Sequence, residues 1–330
     1  MKNMRILGIE STAHTIGVGI VEIKKKKVNI LSNEKDVVKT SQTGLIPTQI
    51  AEHHASKIKP LTLLALKKAG ISIKDIDMLS YSHGPGFGSG LQIASIFSKA
   101  IGKKYNLPVI PVHHGAAHIL IAKYLCNIND AIYLYVSGGN TQIISLENNT
   151  RFIVYGETED IAIGNAIDKL AREIGYGFPG GKIIENLAKQ GNYIRMPYTV
   201  KGMDVAFSGI LTYAINMLKK GHKKEDIAYS FQEHAFAMLT ETVERALAYA
   251  KKDEVCVVGG VGMNSRLQEM IRIMAKERGA KWYKLQDEYL GDNGAMIAIA
   301  GYHYYKHGFK GDPYKAKIKS RWRIEDAFDI

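Results

Sequence analysis

The sequence predicts an α/β protein whose two lobes share a duplicated plan around a cleft. Two observations predict this fold class: a hairpin of apolar strands opens the chain, and a second one with the same order of apolar strand, small polar turn and apolar strand runs from Ala131 to Glu147. No low-complexity linker separates the halves. The cleft is therefore expected between closely joined lobes, and we place residues 1–125 in an N-terminal lobe and residues 126–330 in a C-terminal lobe.

The elements of the first half follow from apolar patterns and their breakers. Strands flank a turn at Ser11 to Thr15, Pro47 opens a helical pattern that Pro60 restarts, and Gly70 ends it. A strand then enters the glycine-rich loop GPGFGSG, the helix LQIASIFSKAIGKKY follows, and the short strand PVIPVHHG runs into a helix that carries histidines.

The second half begins with the repeated hairpin, whose turn is Ser137 to Thr141. A helix-rich segment follows from about Ile161 to Tyr249, interrupted by the loop GYGFPGGK. The buried strand EVCVVGG then leads into the loop VGMNS and the helix RLQEMIRIMAKERG. The glycine-rich loop is similar to GPGFGSG in the first half.

Composition favours a cytoplasmic protein. The 330 residues are 46% hydrophobic and 23% charged, and we find neither a signal peptide nor an apolar run approaching the roughly 18 residues that cross a bilayer. We therefore expect no membrane contact. Cys126 and Cys256 are far apart in the sequence, which suggests neither a disulfide framework nor a cysteine metal site.

The net charge is +12, from 44 Lys and Arg against 32 Asp and Glu. Such a balance suits a polyanionic partner, although it also suits simple solubility. The segment from Lys315 to Ile324 alternates strictly, and we expect it to be extended, either as an edge strand guarded by lysines or as a phosphate-binding stripe. Its cations are Lys315, Lys317, Lys319, Arg321 and Arg323.

The small-residue turns are candidate phosphate sites. A hairpin tip of Ser and Gly exposes backbone N–H groups that can cradle phosphate oxygens, although one such tip is usually only a turn. Two equivalent hairpins strengthen the interpretation. The loops at 84–90 and 259–265 are further glycine-rich approaches to a helix, although the first could equally be a structural turn between strand and helix.

The stretch VHHGAAHI is a candidate metal site. His114 and His118 lie four residues apart, so a helix would bring their Cβ atoms to about 5–6 Å on one face. Gly115 stands where an HExxH metalloprotease has its glutamate, which disfavours that chemistry. Asp292 is the best third ligand, but from the residues alone it is more simply the N-cap of the next helix. Asp168 and Glu185, beside glycine loops, could hold ribose hydroxyls or be ordinary exposed charges.

Ten motifs occur in the order of one known family, the universal tRNA threonylcarbamoyl transferases, called TsaD in bacteria and the KEOPS catalytic subunit in archaea and eukaryotes. The chain resembles this family over nearly its whole length. Tyr135 and Asn140 resemble the archaeal or eukaryotic branch, because bacterial members have an aliphatic residue and a histidine there. The motifs are GIESTAHT, PTQIAEHHA, GPGFGSGL, PVHHGAAH, YVSGGNTQ, GNAIDKLAR, FPGGKIIE, AFSG, GGVGMNSRL and GDNGAMIA.

The resemblance implies the actin-like, hexokinase-like and Hsp70-like (ASKHA) ATPase fold, with two lobes around a nucleotide cleft. It implies metal ligation by His114, His118 and Asp292, with Tyr135 as a further ligand. The nucleotide and substrate contacts it implies are Tyr135, Val136, Ser137, Gly138, Gly139, Asp168, Gly181, Glu185 and Asn264.

The implied activity moves a threonylcarbamoyl group from threonylcarbamoyl-AMP to N6 of adenosine 37, 3′ of the anticodon, in tRNAs that read codons starting with A. One divalent metal is implied, Fe²⁺ favoured and Zn²⁺ the alternative, with ATP or threonylcarbamoyl-AMP as the bound nucleotide. The implied partners are tRNA and the KEOPS kinase or ATPase subunit, a dimerising subunit and an accessory tRNA-binding subunit. No residue stands out as a general base, and no catalytic residue is assigned beyond the metal site.

Three other functions stay open at this point. A metallopeptidase would rest on the histidine pair, and a small-molecule kinase of the same fold would use the two phosphate hairpins. A non-enzymatic alternative is an ATP-gated tRNA-binding scaffold, which would bind tRNA without forming product.

Overall fold

Two mixed five-stranded sheets with the same topology form the framework of the computed structural model, which describes residues 3–25, 27–38, 46–309 and 311–329. In the first sheet the strand order is β3-β2-β1-β4-β5, where β1 to β3 are antiparallel and β1, β4 and β5 are parallel. Its strands are β1 (Met4–Glu10), β2 (Thr15–Lys24), β3 (Lys27–Val37), β4 (Met78–Gly84) and β5 (Val109–His113).

The second sheet repeats this order as β8-β7-β6-β11-β12, again with three antiparallel strands followed by parallel neighbours. The duplicated plan predicted from the two hairpins is confirmed, while the boundary at residues 125 and 126 stays a prediction. The strands are β6 (Ile132–Val136), β7 (Thr141–Glu147), β8 (Arg151–Glu157), β11 (Glu254–Val258) and β12 (Lys281–Tyr283), and β9 (Val200–Lys201) and β10 (Asp204–Val205) form a separate small pair.

Helices cover both faces of each sheet. Helices α1 and α2 pack on the outer face of the first sheet, and α4 to α8 pack on the outer face of the second. Among the described helices, none is long and apolar enough to cross a bilayer. The helices are α1 (Pro47–Ala69), α2 (Gly88–Tyr105), α3 (His114–Leu125), α4 (Ile163–Glu173), α5 (Gly181–Ala188), α6 (Ser208–Lys219), α7 (Lys224–Ala250), α8 (Ser265–Glu277), α9 (Asp287–Leu290) and α10 (Gly294–Lys306).

Helices α3 and α10 form the layer between the two sheets. Both are apolar around almost their whole circumference, as a helix must be when neighbours enclose it. Their side chains share one core with Ile6 and Val112 of the first sheet and with Tyr133 and Tyr135 of the second. His114 and His118 of α3 are therefore buried in the layer between the two sheets.

Strand alternation decides which side chains face this middle layer. On β6, Ile132 and Leu134 point to the outer core, whereas Tyr133 and Tyr135 point to α3 and α10. On β1, Leu7 packs in the outer core, and the alternate positions face the middle layer.

The N-terminal turn of α10 lies directly on the backbone of β1 and β2, because glycines meet there. A methyl group added at Gly19 would overlap the backbone of Ala295, and one added at Gly294 would overlap the backbone of Val18 and Gly19. Because of this close approach, the loop before α10 lies beside the start of α3, although the loop and α3 are far apart in the sequence.

Two local expectations are wrong. Pro60 does not restart a helix: α1 is continuous, because its buried positions Ile50, Ile58, Leu61 and Ala65 keep one helical face packed across the proline. Of the two alternatives for the segment from Lys315 to Ile324, the edge strand is wrong, because the described residues form no strand there.

The C-terminal segment is instead fixed by isolated contacts. Lys319 N–H donates to His83 O at 3.0 Å and Gly86 N–H donates to Ser320 O at 3.2 Å, so it crosses the end of β4 without forming a ladder. The Trp322 ring then packs 4.8 Å from the His113 ring, between centroids. The segment thus reaches the residue that precedes the histidine pair.

The glycine contact predicts a stability effect. Replacing Gly19 by Ala forces the added methyl group into the α10 backbone, and we expect the free energy of unfolding to fall by at least about 2 kcal/mol. Urea unfolding followed by circular dichroism measures this.

The matched control is Gly209→Ala in α6, where the nearest atom lies 3.9 Å from the added Cβ. We expect this variant to be neutral or slightly more stable, because alanine favours a helix. Equal stability of Gly19→Ala and the wild-type protein would contradict the packing argument.

Candidate metal and nucleotide site

The histidine helix begins where β5 ends, and His113 forms the junction. His113 Nδ1 accepts a hydrogen bond from Ala116 N–H at 3.2 Å, which caps α3, and its Nε2 lies 3.1 Å from Trp322 O. Burial lowers the pKa of His113 to about 3, so the ring is neutral. His113 is therefore a structural cap, and the site is left to His114 and His118.

His114 and His118 face the same point, as their spacing predicts. Their ring centroids are 4.9 Å apart in an edge-to-face arrangement. Asp292 Oδ1 lies 3.6 Å from His114 Nε2 and 3.3 Å from His118 Nε2. Tertiary packing thus joins two residues of α3 to a third residue from the loop before α10.

The interpretation of Asp292 as an N-cap is wrong. The next residue, Asn293, caps α10, because its Oδ1 accepts a hydrogen bond from Met296 N–H at 2.9 Å. The Asp292 carboxylate is left to face the histidines.

This cluster fits a divalent metal ion. Ligand atoms of His114, His118 and Asp292 all lie within 4.8 Å of one another. His118 is 1% exposed, and within the described residues neither of its ring nitrogens has a hydrogen-bond partner with acceptable geometry. Because an unpaired buried nitrogen is costly, a metal ligand role would account for it. Two imidazoles and a carboxylate are a donor set that Zn²⁺ or Fe²⁺ accepts.

Glu10, the last residue of β1, is a further member that the sequence analysis missed. It is fully buried, and its Oε2 lies 2.9 Å from His114 Nδ1. Its Oε1 accepts hydrogen bonds from both the N–H and the hydroxyl of Thr12, each at 2.6 Å. Strand alternation was the available signal, because Glu10 shares the face of Ile6 toward the middle layer.

The electrostatics of the cluster favour a cation. Burial lowers the pKa of His114, but the carboxylates of Glu10 and Asp292 outweigh burial and raise that pKa to about 9. Burial opposes ionisation of Asp292, yet the neighbouring histidines hold its pKa far below the ordinary value. The two carboxylates therefore stabilise positive charge at this point, either a proton on His114 or a metal ion.

Tyr135 closes the cluster from the second sheet. Its ring centroid is 5.2 Å from that of His118, and its hydroxyl accepts a hydrogen bond from Asn140 Nδ2 at 3.4 Å. Burial raises the pKa of the Tyr135 hydroxyl well above its ordinary value. The hydroxyl is therefore neutral at physiological pH in this environment.

The glycine-rich tip of the second hairpin follows Tyr135 directly. Ser137 N–H donates to Asn140 O at 2.8 Å, and Asn140 N–H donates to Ser137 Oγ at 3.0 Å, which fixes a tight turn. A methyl group added at Gly139 would meet no atom within 4 Å, and at Gly138 only Asn165 Oδ1, at 3.6 Å. Open space therefore adjoins both glycines, as a phosphate cradle requires.

Asp168 and Glu185 are both largely removed from solvent, so neither is one exposed charge among many. Asp168 Oδ1 accepts a hydrogen bond from Gly180 N–H at 2.7 Å, and burial raises its pKa. Glu185 is 4% exposed and accepts hydrogen bonds from Ser265 N–H at 3.0 Å and Lys182 Nζ at 2.9 Å. Burial raises the pKa of Glu185, but these hydrogen bonds outweigh it and the pKa is lowered.

Asn264 and Gly181 complete the predicted nucleotide residues. Asn264 caps α8, because its Oδ1 accepts hydrogen bonds from Arg266 N–H and Leu267 N–H, and its Nδ2 donates to Gln232 at 2.9 Å. Gly181 opens α5, and a methyl group there would meet nothing within 4 Å. Asn264 thus fixes the helix end that holds Glu185.

A cavity of about 720 Å³ opens beside Glu185, between α5, α7 and α8. Polar, charged and aromatic side chains line it. They include Lys189, Tyr229, Gln232, Arg266, Arg272 and Trp282.

The first hairpin reaches across to the second half of the chain. The His14 ring at its tip lies 5.5 Å from the Phe178 ring, edge to face, in the loop between α4 and α5. The tip also packs against the start of α2, where Phe87 N–H donates to Thr12 O at 2.8 Å. The histidine cluster and the loops of the second half therefore belong to one contiguous region.

Solved structures agree with this architecture. The chain resembles HypF from Thermococcus kodakarensis with a TM-score of 0.62 and 15% identity, over 92% of this chain and 48% of HypF. It resembles the activator of the 2-hydroxyisocaproyl-CoA dehydratase from Clostridium difficile with a TM-score of 0.55 and 14% identity, over 92% and 96% of the two chains. Both neighbours share the ASKHA-type fold, so the predicted fold class is confirmed.

Sequence comparisons are more specific. The sequence model of the family described as TsaD, tRNA N6-adenosine threonylcarbamoyltransferase, matches residues 27–299. A protein of that name from Thermococcus kodakarensis is 47% identical over 325 residues, 98% of each chain. A probable bifunctional tRNA threonylcarbamoyladenosine biosynthesis protein from Thermoplasma volcanium is 46% identical over 98% of this chain but only 60% of its own length. The chain therefore belongs to the tRNA N6-adenosine threonylcarbamoyltransferase family.

Proposed function

We propose that this chain transfers the threonylcarbamoyl group from threonylcarbamoyl-AMP to N6 of adenosine 37 in tRNAs that read codons starting with A. The observation that carries the proposal is the buried cluster of His114, His118 and Asp292 next to an open glycine-rich hairpin, in a chain of this family. Metal-ligating side chains and a phosphate cradle side by side suit a phosphorylated acyl donor.

The acceptor explains why such a site is needed. An exocyclic adenine amine is a weak nucleophile, because its lone pair is delocalised into the ring, so the donor must be held rigidly beside it. The backbone N–H groups of Gly138 and Gly139 would stabilise the charge that develops as AMP leaves. Tyr135, held by Asn140 and by its contact with His118, would position the hairpin relative to the histidines.

A divalent ion would be held by His114, His118 and Asp292, with Tyr135 as a further ligand. When bound, it supplies Lewis-acid stabilisation of charge on donor oxygens. We propose Fe²⁺, with Zn²⁺ as the alternative, since two nitrogen donors and oxygen donors suit both.

The nucleoside part of the donor, or of ATP, would lie toward Glu185. Its carboxylate stays ionised and fixed by Ser265, and together with Asp168 it would bind ribose hydroxyl groups. The cavity of about 720 Å³ beside Glu185 is large enough for an adenosine. Gly181 would allow close approach of the ligand, and Asn264 would hold the adenine side by fixing the start of α8.

The charge of the chain supports a tRNA partner. Phosphate contacts from Lys and Arg would hold the anticodon arm while one base enters the cleft. On the C-terminal segment, Arg323 pairs with Glu157 and Glu325, whereas Lys315, Lys317 and Arg321 are exposed residues. We therefore propose the exposed cations of this segment as one tRNA contact.

We further propose that the chain acts in the cytoplasm as the catalytic subunit of KEOPS, with a kinase or ATPase subunit, a dimerising subunit and an accessory tRNA-binding subunit. The longer relative from Thermoplasma volcanium, named as bifunctional, supports cooperation with a second protein unit. A metallopeptidase is not favoured, because Glu10 is engaged by His114 and Thr12, and Gly115 stands at the position of the peptidase glutamate.

The first prediction concerns the product. The chain, its partner subunits, threonylcarbamoyl-AMP and an unmodified tRNA reading an A-starting codon should form N6-threonylcarbamoyladenosine, detected by mass spectrometry of the digested tRNA. His114→Ala and Asp292→Ala should lower the rate by more than about 100-fold. The exposed His222→Ala, in the loop between α6 and α7, is the matched control and should retain the rate.

Two results would argue against the transferase. Wild-type protein with verified partners that forms no product but phosphorylates a small acceptor would support a kinase, and tRNA binding without either reaction would support a scaffold.

The second prediction concerns the metal. Elemental analysis should find about one Fe or Zn per chain, and chelation should lower the melting temperature, because an ion that binds only the folded state stabilises it. His118→Ala should hold little metal, whereas His222→Ala should hold as much as the wild-type protein. Equal metal content in His118→Ala would remove the basis for the assignment.

The third prediction locates a tRNA surface. Replacing Lys315, Lys317 and Arg321 by Glu should weaken tRNA binding at least tenfold and reduce the salt dependence of the affinity by about one unit of slope for each lost phosphate contact. The same charge change at Lys24, Lys25 and Lys27, at the end of the β2–β3 hairpin, should have a smaller effect. Equal losses in both triple variants, measured by filter binding at several salt concentrations, would show only a general charge effect.

A further inference from the structure

Glu10 is a buried carboxylate that the proposed reaction does not use. It has no exposed surface, and it ends β1 between the backbone of the first hairpin and α3. A buried carboxylate is retained at a cost unless hydrogen bonds satisfy it. The partners of Glu10 therefore indicate what it does.

Those partners determine where the protons lie. Glu10 Oε1 accepts both the N–H and the hydroxyl proton of Thr12, so the hydroxyl proton is already committed. His114 Nδ1 faces Glu10 Oε2 at 2.9 Å and the Thr12 hydroxyl oxygen at 3.2 Å, and both of these atoms can act only as acceptors. His114 Nδ1 must therefore carry a proton and donate it.

We infer that Glu10 is a positioning residue that holds His114 with its Nδ1–H on the Glu10 carboxylate and its Nε2 directed at the point shared by His118 and Asp292. The inference rests on the proposed metal site and goes beyond the ligands themselves. A carboxylate behind a ligating histidine fixes the tautomer and the ring orientation and makes Nε2 a better donor. Thr12 in turn holds the Glu10 carboxylate in place through two hydrogen bonds. The turn of the first hairpin therefore helps to orient His114 for metal binding.

This arrangement makes Glu10→Gln a sharp probe, because the side chain keeps its size. The Thr12 N–H still needs an acceptor, which places the Gln oxygen on Thr12 and the amide NH₂ on His114 Nδ1. His114 Nδ1 must then accept, which moves the proton to Nε2, the atom that faces Asp292. The opposite rotamer keeps the His114 tautomer but places the amide NH₂ against the Thr12 N–H, so that hydrogen bond is lost.

The experiment measures Zn²⁺ affinity by competition with a chromophoric chelator, together with the melting temperature of the metal-free protein. We expect Glu10→Gln to weaken Zn²⁺ binding by about 10- to 100-fold. The matched control is Glu22→Gln on β2, whose carboxylate contacts Arg5 at 3.0 Å and belongs to no histidine cluster, and which should keep the wild-type affinity.

The outcomes separate this inference from the proposed function. Wild-type protein that binds Zn²⁺, with equal affinity in Glu10→Gln, overturns the role of Glu10 and leaves the metal site standing. Wild-type protein that binds no Zn²⁺ overturns both. A lower melting temperature of metal-free Glu10→Gln with unchanged affinity would show a purely structural role and would also overturn the inference.

A second measurement covers a variant that fails to fold. In wild-type protein labelled with ¹⁵N-histidine and loaded with Zn²⁺, we expect His114 to show a protonated Nδ1 and a metal-bound Nε2. Ligation of Zn²⁺ through Nδ1 of His114 would overturn the inference without any substitution at Glu10.

Discussion

The close packing of α10 on the β1–β2 hairpin is the constraint on which the site depends. Glycines at both surfaces let the helix backbone rest on the strand backbone, and no side chain can separate them. Because Asp292 stands just before α10 and Glu10 ends β1, the same contact delivers both carboxylates to the histidines of α3. The geometry of the site therefore depends on where α10 packs against β1 and β2.

The middle layer also sets the chemistry of the cluster. Helices α3 and α10 are enclosed by two sheets, so the polar side chains of the cluster need partners within the protein or a bound ligand. Glu10 and Asp292 lie on opposite sides of the His114 ring, and His118 has no other partner in the described part of the chain. Burial strengthens these charge interactions, so the two carboxylates favour a positive charge at this point.

The two halves of the chain share a topology but differ in what they contribute. Strands β1 and β6 are equivalent in the two sheets, and each places a side chain beside the α3 histidines, Glu10 from the first and Tyr135 from the second. The second half adds the open hairpin tip and the fixed carboxylate of Glu185. The two lobes therefore share a sheet topology, and they differ in the few polar residues that stand at the ends of their strands.

The sequence by itself determined the duplicated hairpins, the helix with two histidines on one face and the glycine-rich approaches, because these depend on short-range periodicity and turn chemistry. Its motif order was also enough to indicate the family and to place Asp292 with the histidine pair. Only the tertiary structure decided that Asn293 rather than Asp292 caps α10, that the helix through Pro60 is continuous and that the C-terminal segment is not a strand. It also revealed Glu10. These features depend on which residues pack together in the folded chain. Contacts between residues that are distant in sequence leave no local pattern from which they could be predicted.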